Sequence, residues 1–160
     1  MSLSFLIFAG DTMQPVSPFS LDRYLGTWYE IARLPNSFEK DLTNVTATYS
    51  INKNGMVKVL NSGFNTRKQK QSTAIGKAKF AEKNDIGHLR VSFFWVFYGD
   101  YIVLDLDSEY HYALVASSHK YLWILSRTRI LEQSILDRLI DKARKNGFDT
   151  DKLYFTPQDR

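Results

Sequence analysis

The sequence predicts an all-β fold of eight antiparallel strands, preceded by a short helical turn and followed by one helix. Three observations carry this. Stretches of alternating apolar and polar residues recur at regular spacing from position 26 to 127, separated by turn-forming clusters and by no helical segment. Aromatic residues are 14% of the 160, mostly Phe and Tyr, which suits strands around a large apolar interior. After Arg127 the apolar period changes from two to that of a helix. Hairpin-linked strands of this kind close into an up-and-down barrel or pack as a two-sheet sandwich. The residues alone leave both open.

The organising strand is Gly26-Thr27-Trp28-Tyr29-Glu30-Ile31-Ala32-Arg33-Leu34-Pro35. Glycine gives a tight entry, and proline ends the run by removing a backbone donor. Period two puts Trp28, Glu30, Ala32 and Leu34 on one face, with Tyr29, Ile31 and Arg33 on the other. A large indole followed by a small residue on the same face suggests a closed end below an open space. Before it, 1–17 reads as a leader and extended segment with Pro15, and 18–157 as one domain. Ser20 is placed to cap a helical turn through Leu25.

The further strands are expected at 44–52, 56–65, 71–82, 87–94, 101–106, 112–117 and 121–127. The turns include Asn52-Lys53-Asn54-Gly55, Asn84-Asp85-Ile86-Gly87, Tyr98-Gly99-Asp100, Asp107-Ser108-Glu109 and Ser117-Ser118-His119-Lys120. Leu131, Ile135, Leu136, Leu139, Ile140 and Ala143 then share one helical face, with charges opposite and Asn146-Gly147 as the stop. That apolar face must pack outside the sheet. Leu153-Tyr154-Phe155 reads as a short edge strand.

Composition excludes several classes. A chain of this length buries roughly 70% of its unfolded surface and needs no staple. Without cysteine it has no disulfide, thiolate metal site or thiol nucleophile. The net charge of +4 is mild, and Arg67-Lys68-Gln69-Lys70 is its densest patch, read as a solvated loop rather than a nucleic-acid footprint. His88, His111 and His119 lie apart, so no metal site is expected. No glycine elbow or phosphate loop is present, and no cofactor is expected. No apolar run reaches the ~18 residues of a spanning helix. Residues 4–10 resemble the tail of a signal peptide's apolar core. Gly10 is followed by Asp11 rather than by the cysteine that lipoprotein signals lipidate, so no acyl anchor is expected there.

The expected inward faces mix small residues with aromatics. They are Val45, Ala47, Tyr49 and Ile51; Val57, Val59 and Asn61; Gly76, Ala78 and Phe80; Leu89, Val91 and Phe93; Tyr121, Trp123 and Leu125. The strands at 101–106 and 112–117 are apolar on both faces and cannot be assigned. Small residues on neighbouring strands leave volume unfilled, and an empty apolar void loses dispersion contacts. A ligand cavity is therefore favoured over a filled core.

Three separated stretches resemble a known family. GTWYEIARLP is similar to the G-x-W strand of the lipocalins. Asp105-Leu106-Asp107-Ser108-Glu109-Tyr110 resembles their second motif, and Leu122-Trp123-Ile124-Leu125-Ser126-Arg127-Thr128 their third, with its arginine. NVTATYSINKNG, GKAKF, VSFF, FYG and GFDTDKLYF resemble the bacterial outer-membrane branch. The resemblance implies an eight-stranded antiparallel up-and-down β-barrel with the helix outside. It also implies a structural floor of Gly26, Trp28 and Arg127, the guanidinium covering the indole. The departures are the missing disulfide, Asp11, and Trp95-Val96 where that branch has Gly-Pro before FYG.

The expected function is binding, storage or transport of a small hydrophobic ligand, a fatty acid or lysophospholipid, in cell-envelope lipid maintenance. The location implied is the periplasmic face of the outer membrane or the periplasm, as monomer or homodimer. The candidate lining is Ala32, Leu34, Ala47, Tyr49, Val59, Asn61, Ala78, Phe80, Val91, Phe93, Tyr121 and Trp123, with no catalytic residue. The alternatives are a lipid-modifying enzyme or isomerase in the same cavity, with Glu30 as its inward carboxylate, and an envelope interaction module with a filled barrel.

Overall fold

The computed structural model describes residues 13–93 and 97–160. A one-turn helix α1 (Leu21–Tyr24) leads into β1 (Gly26–Arg33). Then follow β2 (Leu42–Ile51), β3 (Val57–Asn65), β4 (Lys70–Phe80), β5 (His88–Phe93), β6 (Phe97–Leu106), β7 (Tyr112–Ser117) and β8 (Tyr121–Ser126). Helix α2 (Gln133–Lys145) and a two-residue β9 (Tyr154–Phe155) complete the chain. Each strand from β2 to β7 pairs antiparallel with the next, β8 pairs with β1, and β1 pairs back onto β2. The sheet is thus a closed barrel, not a sandwich. β9 pairs with the far end of β1, where Arg33 faces Tyr154.

Several local expectations change. Tyr98-Gly99-Asp100 is not a turn but part of β6, where Gly99 pairs with Val91 and Asp100 with Arg90. A Gly-Asp pair is a turn signal only where the cross-strand ladder ends, and here it runs on to Phe93 opposite Phe97. The Trp95-Val96 departure and the Gly10-Asp11 junction lie outside the described residues. Ser20 makes no side-chain cap on α1. Its backbone N–H is instead taken by the Tyr110 hydroxyl at 2.9 Å.

Two apolar cores lie on opposite sides of the sheet. The inner one contains Trp28, Tyr24, Tyr49, Val59, Val91, Val103 and Val115. The outer one joins Ile102, Leu104, Leu114, Leu122 and Ile124 to Leu136, Leu139 and Ala143 of α2. This explains the two strands that could not be assigned. β6 and β7 are apolar on both faces because the helix covers the outer one. Arg138 and Lys142 each reach Asp105 of β6 at 3.0 Å, which fixes the helix from its polar side.

The shut end is built from local sequence. Segment 13–19 crosses it: Val16 donates to the Val103 carbonyl at 2.8 Å and accepts from Gly87 N–H at 2.9 Å. Phe19 is buried with its ring 5.2 Å from Tyr24 and 6.2 Å from Phe80.

Candidate functional site

The floor comes first, because the cavity stands on it. Trp28 is fully buried and donates its indole N–H to the Tyr24 carbonyl at 2.8 Å. The Arg127 guanidinium lies 3.9 Å over the indole ring. It also donates to four backbone carbonyls: Thr27 at 3.1 Å, Arg23 at 2.9 Å, Tyr24 at 3.2 Å and Tyr110 at 3.2 Å. All three sequence motifs therefore meet here. Gly26 has φ +98°, and a Cβ on it would stand 3.3 Å from the Arg127 guanidinium. Only glycine takes that backbone without strain while leaving the cation its place.

Above the indole, Tyr24 OH, Tyr101 OH and Tyr49 OH form a hydrogen-bonded chain with steps of 2.6 and 2.8 Å. Burial raises all three phenols above their usual range, so they stay neutral. Over this layer a cavity opens in which the centre of a water-sized sphere can roam through about 90 Å³.

Ala47, Tyr49, Val59, Asn61, Val91, Phe93 and Trp123 of the expected set line it. The wall also takes Val45, Ala74, Tyr101, Val115 and Leu125, together with Phe38, Glu30 and Glu39. Asn61 is flanked across the sheet by Ala47 and Ala74, and its carboxamide has no hydrogen-bond partner among the described residues. Tyr121 stands on the Trp123 face one step nearer the mouth, 6.2 Å from Trp123 and 5.6 Å from Phe38. Ala78 and Phe80 are not wall residues. They point inward but belong to the apolar layer beneath the cavity, because β4 descends to the shut end. A Cβ on Gly76, just above them, would fall 2.7 Å from the Phe93 ring, so its absence lets that ring lie against the wall.

Ala32 and Leu34 are on the wrong side of the sheet for a lining role. Against β8, Glu30 pairs with Leu125 but Ala32 pairs with Ile124, so one extra residue is inserted in β1. The bulge inverts the alternation. Ala32 and Leu34 join the outer core under α2, and Arg33 turns inward. An inserted residue of this kind leaves no mark in a strictly alternating reading.

The consequence is a buried polar cluster that alternation could not find. Glu30, Arg33 and Glu39 are each more than nine-tenths buried. Glu30 accepts from Arg33 Nη1 at 2.7 Å and from the Thr156 hydroxyl at 2.5 Å. Glu39 accepts from the Trp123 indole at 2.7 Å and from Asn36 at 2.9 Å. Arg33 also donates to the Glu39 carbonyl at 2.7 Å. Burial pushes the Glu30 carboxyl well above the usual range, and the neighbouring Glu39 carboxyl adds to it, against Arg33 and Thr156.

A carboxyl that holds its proton more tightly folded than unfolded stabilises the fold fully below its unfolded value of ~4.3. That contribution is lost as pH rises through the folded value. His88, whose affinity for a proton is lowered by burial but raised overall by Asp100 and Glu82, has the same sign. The comparison must therefore be made against a variant. Urea unfolding between pH 5 and 8 is expected to show wild type losing stability, relative to Glu30→Gln, as pH rises. A constant difference over that range would show that Glu30 does not titrate in the fold.

The open end carries the loops 34–41, 66–69 and 118–120. Lys40, Arg67, Lys68, Lys70 and Lys120 are exposed there. Among the described residues no group of three or more His, Asp or Glu could hold a metal ion.

A family model described as a lipocalin-like domain matches residues 19–158. The chain is 46% identical over 150 residues to the outer membrane lipoprotein Blc of Vibrio cholerae, covering 92% of this chain and 88% of that one. It is 41% identical over 162 residues to the protein of the same name from Escherichia coli K12, covering 97% and 92%. It is also 38% identical over 156 residues to temperature-induced lipocalin-1 of Arabidopsis thaliana, covering 91% and 83%. Among solved structures, insecticyanin from the tobacco hornworm Manduca sexta superposes with a TM-score of 0.74 at 21% identity, over 91% and 84% of the two chains.

Proposed function

The chain belongs to the lipocalin family, and from that premise we propose that it binds and carries a slender apolar or amphiphilic molecule, a fatty acid or a lysophospholipid, in its barrel. The observation that carries this reading is the enclosed cavity with a mainly apolar wall, standing on a tyrosine floor. Burial contributes ~0.8 kcal/mol per methylene, so a long tail supplies the affinity. The head stays at the mouth, where Lys40, Arg67, Lys68, Lys70 and Lys120 can meet a carboxylate or phosphate.

Two relatives, from Vibrio cholerae and Escherichia coli, are named outer membrane lipoproteins, which supports a place in the bacterial envelope and a role in lipid maintenance. Catalysis has less support. One Glu30 oxygen is already engaged by Arg33 and Thr156, and the chain has no thiol.

Titration with oleate and with a lysophospholipid is expected to change tryptophan emission, since Trp123 lines the cavity, with saturation near one ligand per chain by calorimetry. No saturable binding of either would overturn the proposal. Turnover of phospholipids or hydroperoxides, lost in Glu30→Gln with binding kept, would replace it with an enzyme.

A further inference from the structure

Of the polar groups on the cavity wall, Glu30 and Glu39 are the ones that carry charge. They are two carboxyls beside one guanidinium: Arg33 pairs with the Glu30 carboxyl at 2.7 Å and donates to the Glu39 backbone carbonyl at 2.7 Å, not to its carboxyl. Two ionised carboxylates with one cation would leave an excess negative charge in a site more than nine-tenths buried. A buried charge without a partner is strongly unfavourable, so the empty cluster keeps a proton on the pair and is neutral.

A proton is not the only cation that can balance the pair. The Trp123 indole, which lines the cavity, presents its N–H edge to Glu39 at 2.7 Å and so brings an aromatic ring beside the carboxyls. Phe38 lies on the same wall. Carboxylates with aromatic rings nearby are surroundings that suit an organic cation. An ammonium entering from the mouth can replace the shared proton: the proton leaves to solvent, both carboxylates are ionised, and the cluster stays neutral. We propose that the Glu30–Glu39 pair, together with Trp123, forms a head-group subsite that selects amphiphiles bearing a primary ammonium. This rests on the reading of the barrel as a lipid-binding cavity and names the head group that cavity prefers.

The exposed surface cannot mimic the effect. The chain carries a net charge of +4, and the open end carries Lys40, Arg67, Lys68, Lys70 and Lys120. Both repel an ammonium before it enters. The Asn61 carboxamide serves an alcohol as well as an ammonium and does not separate them.

The test is calorimetric titration of the whole chain with decylammonium chloride and with 1-decanol, two ligands with one tail and different heads. Decylammonium is expected to bind at least about tenfold tighter. In Glu39→Gln and in Glu30→Gln, the one remaining carboxylate balances the charge of Arg33 within the cluster and leaves no shared proton to replace. The preference is then expected to vanish while decanol binds as before, which also reports that the cavity is intact. Equal affinities in wild type, or a preference for decylammonium that survives both substitutions, would overturn the subsite. Failure of both ligands to bind wild type would overturn the lipid-binding reading beneath it.

Discussion

Trp28→Ala is expected to lower the unfolding free energy by about 4 kcal/mol, within the ~3–5 kcal/mol of a large aromatic removed from a packed site. Three losses combine. The indole is fully buried, so its removal leaves a void at the shut end. The Tyr24 ring, 4.8 Å from it, loses its support, and with it the tyrosine chain under the cavity. The Arg127 guanidinium, 3.9 Å above, loses its aromatic face. A urea double-mutant cycle with Arg127→Met separates the last term. The coupling is expected at ~1 kcal/mol or more, as for a desolvated cation over an indole. Arg127→Met should itself be costly, since four backbone carbonyls lose a charged donor. A loss under ~1 kcal/mol for Trp28→Ala would mean that the shut end is not where the fold is held.

The double substitution Ala47→Phe, Ala74→Phe is expected to abolish ligand binding while leaving the barrel folded. The two alanines flank Asn61 of β3 from β2 and β4 on either side and face the same open volume. Two phenyl rings exceed what about 90 Å³ of roaming space allows a ligand to share. Their own burial offsets much of the overpacking strain, so stability should move by no more than about 2 kcal/mol. Oleate affinity is expected to fall by more than about a hundredfold, a difference of ~2.7 kcal/mol. Calorimetry gives the affinity and thermal unfolding the stability. Unchanged oleate binding would place the ligand outside the barrel.

Most of the wall was legible because most strands alternate without interruption. In β2, β3, β5 and β8, period two put Ala47, Tyr49, Val59, Asn61, Val91, Phe93 and Trp123 on the inner face, and these residues lie on the cavity wall. Depth along a strand was harder to read. Ala78 and Phe80 have the inward parity but sit too near the shut end, and only the register of β3, β4 and β5 fixes that level. Val115 shows the converse: β7 is apolar on both faces, so its inner residues could not be chosen from sequence.

The acid cluster was the least legible part. Glu30 could be placed inward, but Glu39 lies in a loop where periodicity says nothing. Arg33 has the outward parity until the bulge reverses it. The sign is visible only afterwards: a Thr156 hydroxyl from the far end of the chain arrives to hold Glu30, 126 residues away.

What the sequence determined by itself was the architecture and its anchor. Alternation, turn residues and the change of period are local properties, and they suffice for eight strands and a covering helix; the floor joining Trp28 to Arg127 came from the family resemblance of the motifs. What the tertiary structure decided was which way β1 faces beyond Glu30, how deep each inward residue lies, and that two carboxyls share one buried place. Those outcomes depend on hydrogen-bond register between strands distant in the chain. One inserted residue there reverses a face at no cost that the local sequence reveals.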